Sequence, residues 1–337
     1  MTREQQERFD RIAPLIGCTP LLEIHFRYRG KARRLFAKAE AYNLTGNIKD
    51  RVALYILRRA YEDGTIRPGQ IIAEATSGNT GIAFSALGRY LGHPVVIYMP
   101  DWMSRERILI MQSYGAEVRL VSREEGGFLG SIARCEELAR TEGAFLPRQF
   151  SNEDNTEAHY RTTGAEIAQQ LAALGLRADG AVAGVGTGGT IMGLARRLRE
   201  ENPACRAYPL EPLSSPTLST GYKVGSHRIQ GISDEFIPDL LHLDALDEVV
   251  SVDDGDALIM ARMLSEQLGL GVGVSSGANF VGCVMKQEAL GGEAVMVTTF
   301  ADDNKKYLST DYAEPQPMRD GYVTKDLELT GVVAHRL

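Results

Sequence analysis

Gln70-Ile71-Ile72-Ala73-Glu74, then Thr76-Ser77-Gly78-Asn79-Thr80-Gly81, then a run of helical period from Thr80 to Leu91 closed by Gly92: this passage decides the fold class. A short apolar run bounded by turn residues reads as a buried strand. The change to a 3.6-residue period straight after a glycine-containing turn reads as a helix laid back over it. The alternation then repeats, with Pro94-Val95-Val96-Ile97-Tyr98-Met99 as a strand, Ser104 to Tyr114 as a helix, Ala116 to Val121 as a strand and Phe128 to Glu142 as a helix. Strands separated by helices of this length give a parallel sheet covered on both faces.

Working towards the N-terminus, Thr45-Gly46-Asn47-Ile48-Lys49-Asp50-Arg51 leads into a helix with Val52, Ile56 and Ala60 on one face. Asn47 is placed to cap it, and Asp50 falls in the first turn, where the helix dipole favours a carboxylate. The same dipole disfavours a protonated amine on Lys49, and burial would lower its pKa further, as a Schiff-base lysine requires. Arg34 to Glu40 is strand-like, Ile16 to Leu22 is a turn into an extended stretch, and residues 1 to 12 read as a polar helix or arm. Towards the C-terminus the predicted elements are a helix over His159 to Leu174, a strand over Gly180 to Val185, a helix over Thr190 to Glu200 and a strand over Arg206 to Glu211. A Gly-, Ser- and Pro-rich segment from Pro212 to Pro238 follows, then a helix over Asp254 to Leu268, a short strand over Gly271 to Val274, a helix over Ala278 to Ala289 and a strand over Ala294 to Phe300. After Asp311 no clear pattern is visible. The reading is α/β, with two open-sheet domains and a cleft between them.

The 337 residues, 44% apolar and 24% charged, are enough to bury a sizeable core. A net charge of -7 argues against nucleic acid and anionic membrane surfaces and for small molecules. The charged start, without an apolar stretch, and the lack of any run of about 18 apolar residues predict a cytoplasmic protein. Cys18, Cys135, Cys205 and Cys283 are scattered and read as buried thiols, and the six histidines show no metal-ligand spacing, so no metal is expected.

Three loops carry candidate chemistry. Thr76 to Gly81, between strand and helix, would make an anion nest for a carboxylate, with Asn79 able to donate to a phenolate oxygen. Gly184-Val185-Gly186-Thr187-Gly188-Gly189-Thr190 would let backbone amides close on a phosphate monoester. It also contains a literal G-x-G-x-x-G, with Glu211 spaced like a ribose-binding acid, so a dinucleotide is the competing reading. Gly273-Val274-Ser275-Ser276-Gly277 contains G-x-S-x-G with Asp302 and His335 following in serine-hydrolase order. Alternatively, Ser276 would offer its hydroxyl to a neutral pyridine nitrogen, which favours elimination chemistry. Taken in order, a lysine, a carboxylate loop, a phosphate loop and a ring-nitrogen serine account for the polar groups of pyridoxal phosphate.

On these motifs, together with Ile16-Gly17-x-Thr19-Pro20-Leu21, Met99-Pro100, Met103-Ser104-x-Glu106-Arg107, Gln149-Phe150-Ser151-Asn152 and Thr162-Thr163-Gly164, the chain resembles the cysteine synthase (O-acetylserine sulfhydrylase) family of fold-type II pyridoxal-phosphate enzymes. The resemblance implies a larger cofactor-binding domain from residues 1–49 and 151–310, a smaller mobile domain from 50–150 and a tail at 311–337, and a homodimer. It implies Lys49 as the cofactor-bound lysine and acid/base, Asn79 at the 3'-oxygen, Gly186, Thr187, Gly188, Gly189 and Thr190 at the phosphate, and Ser276 at the pyridine nitrogen. Thr76, Ser77, Thr80 and Gln149 would hold the substrate carboxylate. The implied chemistry is β-replacement: an activated serine (O-acetylserine or O-phosphoserine) and sulfide or another thiol give cysteine through an aminoacrylate. Sulfide release from cysteine, cystathionine β-synthase and serine dehydratase activity are the alternatives.

Two segments depart from the family pattern. Gly231-Ile232-Ser233-Asp234-Glu235-Phe236-Ile237-Pro238 stands where G-I-G-A-G-F-I-P is usual, and Ala301 to Thr310 replaces S-S-G-E-R-Y-L-S-T. Asp234 or Glu235 is therefore expected to bear on the second substrate, with water or an amine as the nucleophile it would activate.

Overall fold

The computed structural model describes residues 1–233 and 235–336. In chain order the elements are α1 (Arg3–Ile12), β1 (Leu21–Tyr28), β2 (Lys31–Ala39), α2 (Lys49–Asp63), β3 (Ile72–Ala75), α3 (Asn79–Leu91), β4 (Val95–Pro100), α4 (Arg105–Ser113), β5 (Glu117–Val121) and α5 (Gly127–Glu142). They continue with α6 (Asp154–Ala158), α7 (Ala165–Ala173), β6 (Gly180–Gly184), α8 (Gly189–Glu201), β7 (Arg206–Pro212), α9 (Thr217–Thr220), β8 (Val250–Val252), α10 (Asp254–Leu268), α11 (Val274–Ala289), β9 (Met296–Phe300) and β10 (Leu327–His335).

Two sheets result. The smaller, β3-β4-β5, is parallel throughout, as the opening passage predicts. The larger has the order β10-β1-β2-β9-β6-β7-β8 and is mixed: β1 runs antiparallel to both β2 and β10, while β2, β9, β6, β7 and β8 are mutually parallel neighbours. The two-residue period of its strands sorts side chains to opposite faces. Leu35, Ala37, Val182, Leu210 and Met296 face α10 and α11, while Phe36, Ala181, Ala183, Ala207 and Val297 face α7 and α8. Each large aliphatic or aromatic side chain so enclosed contributes about 1.5–3 kcal/mol of transfer free energy, so both faces of the sheet are driven to be covered.

Several sequence expectations are corrected. The helix predicted over His159 to Leu174 starts earlier, as α6, and passes through a π-helical turn at His159–Gly164 before α7. Gly164 and Gly193 make room for that turn to press on α8: a Cβ on Gly193 would lie 2.6 Å from that of His159. Gly271 to Val274 is not a strand. Val272 makes one isolated bridge to Asp303, and with Gly273 as cap the following helix starts at Val274, which places Ser275 and Ser276 in its first turn. The patternless tail contains β10, whose register along β1 runs from Leu21 opposite His335 to Tyr28 opposite Leu327. The first helix does not pack with the larger sheet: Phe9 is buried among Val52, Ile56, Tyr61 and Leu87 of the smaller unit. Cys18 is exposed, whereas the other three cysteines are buried as expected. No described helix is long and apolar enough to cross a membrane.

Candidate active site

The carboxyl ends of β3, β6 and β9 lead into Thr76, Val185 and Ala301, the edge at which open α/β sheets take ligands. A cleft with about 820 Å³ of empty space, its open mouth included, lies there between the two sheets. Of the residues predicted for the site, Lys49, Thr76, Ser77, Asn79, Thr80, Gln149, Gly186, Thr187, Gly188 and Thr190 line it. Gly189 is buried behind them as the first residue of α8, so packed that a Cβ there would lie 2.3 Å from Asn155 Oδ1. Asp234 lies outside the described residues.

Lys49 opens α2; Ile48 rather than the expected Asn47 is the cap residue, and Asn47 instead closes a local turn, its Oδ1 accepting from the Lys49 N–H at 2.9 Å. Asp50 accepts from the Thr45 N–H at 2.6 Å and its hydroxyl at 2.5 Å, and burial raises its pKa to about 6. The turn that presents Lys49 is thereby tied at both sides.

In the anion loop, Thr76 Oγ1 accepts from the Gly78 N–H at 3.0 Å. Thr80 Oγ1 donates to Gln149 Oε1 at 2.6 Å, and Gln149 Nε2 donates to the carbonyl of Ala75 at 2.7 Å. Gln149, distant in sequence, is thus fixed as part of the loop. Behind it lies Glu74, 5% exposed, which accepts from the N–H groups of Ala75 (3.0 Å) and Gln149 (3.3 Å). Burial raises its carboxyl to about 8, from an ordinary 4.5. A carboxyl raised on folding favours the folded state while it stays protonated, and that contribution fades as pH climbs from the ordinary value through about 8. We expect the wild-type melting temperature to fall more steeply between about pH 5 and about pH 9 than that of Glu74→Gln, which has no proton to lose there. Equal slopes in a thermal-shift pH series would refute this role for Glu74.

The glycine loop is built to approach a ligand closely. Gly188 has φ +85°, and a Cβ on Gly186 would lie 2.6 Å from the carbonyl oxygen of Gly231. Thr187 Oγ1 accepts from Asn155 Nδ2 at 2.9 Å, and Thr190 Oγ1 meets His159 Nε2 at 3.2 Å. His159 is fully buried, and its burial and the nearby charge of Lys49 hold it neutral, with a pKa well below the usual range. Asn279 accepts from the Gly184 N–H at 2.8 Å and so pins the loop's root.

Of the two serines, Ser275 is the one on the cleft wall, whereas Ser276 is wholly buried and its hydroxyl has no hydrogen-bond partner among the described residues. The two hydroxyls face differently because the helix starts at Val274 and consecutive helical residues point about 100° apart.

Sequence reasoning gave no role to several wall residues: Arg107, Gln230, Asn279 and Tyr307. Arg107 is 2% exposed, its guanidinium lies 4.8 Å from the centre of the Tyr307 ring, and it donates to Ser104 and Gln230. Gly78 accommodates it, because a Cβ there would lie 2.3 Å from the Arg107 side chain. Its place within Met103-Ser104-x-Glu106-Arg107 is the signal that was available.

The competing readings find no site. Glu211 is fully buried and taken up by the Leu218 N–H and the Ser219 and Ser251 hydroxyls, leaving no carboxylate for a ribose. His335 is engaged by Glu23 at 2.9 Å on the edge strand, and Asp302 accepts from Asn79 and Tyr307, so no Ser-His-Asp relay forms.

The donor set fits pyridoxal phosphate. A helix N-terminus faced with glycines suits its phosphate, the unpartnered Ser276 hydroxyl in the first turn of α11 suits its ring nitrogen and Asn79 its 3'-oxygen, and the lysine shares the same wall. Among the described residues, buried polar atoms without a protein partner lie on this wall or directly behind it: Asn79 Oδ1, Arg107 Nε, Asn155 Oδ1, Ser276 Oγ and Asp302 Oδ1. Such atoms are rarely left unmet in native sites.

Comparison with known proteins agrees. The family described as "Pyridoxal-phosphate dependent enzyme" matches residues 12–302. A probable cysteine synthase of Bacillus subtilis is 39% identical over 300 residues, spanning 89% of this chain and 96% of that protein. Among solved structures, a hydrogen sulfide-producing enzyme from Fusobacterium nucleatum superposes with a TM-score of 0.95 at 56% identity, covering 98% of this chain and 100% of that one. O-ureido-L-serine synthase follows with a TM-score of 0.84 at 32% identity, covering 92% and 96%.

Proposed function

The chain belongs to the pyridoxal-phosphate dependent enzyme family, with cysteine synthases among its relatives, and from that premise we propose that its β-replacement runs as sulfide release: L-cysteine and water give L-serine and hydrogen sulfide. The observation that carries the finer reading is the 56% identity, over nearly the whole chain, to a hydrogen sulfide-producing enzyme, against 39% to a probable cysteine synthase. The departures at Gly231 to Pro238 and Ala301 to Thr310 support it, since both segments contribute to the cleft, through Gly231 and Ile232 and through Ala301 and Tyr307.

When bound, pyridoxal phosphate supplies the electron sink that lets a β-substituent leave. Gly186 to Thr190 would hold its phosphate, Ser276, whose buried hydroxyl meets no partner among the described residues, its ring nitrogen, and Asn79 its 3'-oxygen. Thr76, Ser77, Thr80 and Gln149 would receive the substrate carboxylate, which orients the Cα–H bond towards Lys49. Lys49 Nζ takes that proton and returns it. A serine hydroxyl there would donate to the ring nitrogen without giving up its proton, a setting that suits departure of the β-substituent as thiolate. Asp234 or Glu235 would draw the proton from the incoming water.

The test is a substrate comparison on the cofactor-loaded protein. L-cysteine alone should release sulfide, with one serine formed per sulfide. Absence of sulfide release from cysteine, together with cysteine formation from O-acetylserine and sulfide, would reverse the assignment to cysteine synthesis.

A further inference from the structure

Asp302 stands in one of the two segments where the chain departs from the cysteine synthase pattern, and nothing in the cleft chemistry above uses it. It follows β9 and is fully buried. Its Oδ2 accepts from Asn79 Nδ2 at 2.9 Å and from the Tyr307 hydroxyl at 2.7 Å, while Oδ1 has no partner. A Cβ on Gly273 would lie 2.1 Å from Oδ1, so the carboxylate presses on the backbone that caps the serine-bearing helix α11. One buried acid therefore touches the residue at the 3'-oxygen, a wall residue, and the root of the ring-nitrogen helix.

We propose that Asp302 is a positioning residue that fixes which end of the Asn79 amide the cofactor meets and thereby biases a proton onto the cofactor's 3'-oxygen. The inference rests on the assignment of Asn79 to that oxygen. A carboxylate only accepts hydrogen bonds, so the amide nitrogen of Asn79 must turn to Asp302. That leaves Asn79 Oδ1 buried without a donor, a lack that a 3'-hydroxyl relieves and a 3'-oxide does not. The charge acts in the same sense, because a second anion beside a buried carboxylate is disfavoured. Other charged and titratable groups face the same acid. Lys306 Nζ lies 4.0 Å from Oδ2 but is shared with Asp303 at 3.6 Å and the Gly46 carbonyl at 3.1 Å, and the Arg107 guanidinium lies 4.8 Å from the centre of the Tyr307 ring and bears on its hydroxyl. Tyr307 itself stays protonated, its pKa held well above 10 by burial and by Asp302. The positive charge of Lys306 is thus divided among three acceptors, and the acid keeps a net influence on Asn79.

The readout is the absorption spectrum of the cofactor-loaded protein without substrate, in which a neutral 3'-hydroxyl form absorbs in the near ultraviolet and an ionised form in the visible. Asp302→Asn should raise the ratio of visible to near-ultraviolet absorbance by roughly tenfold, one pKa unit of differential interaction. Tyr307→Phe removes a donor and leaves the charge barer, so it should move the ratio the opposite way, and it decides the matter if Asp302→Asn does not fold. A folded, loaded Asp302→Asn protein with the wild-type spectrum, or a Tyr307→Phe protein with no shift when it alone folds, overturns the proposal. A wild-type protein that binds no pyridoxal phosphate would instead contradict the family-based reading of the cleft.

Discussion

Lys49→Ala is expected to cut turnover by roughly a thousandfold or more, the scale on which a positioned acid/base and covalent anchor contribute. The cleft itself should survive, because the turn around position 49 is held by backbone and neighbouring side chains: Asn47 Oδ1 accepts from the Lys49 N–H, and Asp50 is tied to Thr45. The variant should therefore retain the wild-type melting temperature and still take up pyridoxal phosphate through the glycine loop. Lys325→Ala, on an exposed lysine paired with Asp320, serves as the control and should leave turnover unchanged. Sulfide release measured for the three proteins checks this, and near-normal turnover in Lys49→Ala would move the chemistry to another residue.

The second large effect is on stability. Two positions after the lysine, Arg51 is 2% exposed and reaches Glu40 through Nε at 2.6 Å and Nη2 at 2.9 Å, and Glu166 through Nη1 at 2.6 Å and Nη2 at 2.9 Å. Lys38, fully buried, adds a contact of 2.7 Å to Glu166. The group holds two cations and two anions. Burial alone would raise the pKa of Glu166, but Arg51 and Lys38 hold it down at about 2. Replacing Arg51 with Met leaves Glu40 buried without its cation, and breaking a buried pair from one side costs about 3–5 kcal/mol. Arg59 in the same helix pairs with Glu62, Asp63 and Asp154 at the surface, so Arg59→Met should barely move the denaturation midpoint. Urea denaturation of both variants checks the contrast, and equal midpoints would show that the network contributes little.

How far the chain could be read without coordinates depended on whether the signal was local. The strand at Ile72–Ala75, the turn at Thr76 to Gly78 and the helix at Asn79–Leu91 each carry their own pattern, and most of the cleft wall follows from loops that sit between such elements. By contrast β10 is an edge strand stabilised by pairing with β1 some three hundred residues earlier, and only Leu327 and Leu329 of it are buried, so its alternation stops after Thr330 and is too short to announce nine residues of strand. Arg107 and Asp302 were equally hard to place, because a buried charge has no periodicity, and its function lies in the Tyr307 ring and the Asn79 amide that other segments bring to it. Which of Ser275 and Ser276 lies on the cleft wall and which lies buried behind it depends on where one helix begins. A shift of one residue there changes which hydroxyl faces the cleft.

The central claim is that the lysine at position 49, and no other, forms the covalent bond to pyridoxal phosphate. Borohydride reduction of the loaded protein followed by peptide mass mapping tests it most directly. The account predicts one phosphopyridoxyl group, on the peptide containing Lys49. A modified lysine elsewhere, with Lys49 recovered intact, would contradict it.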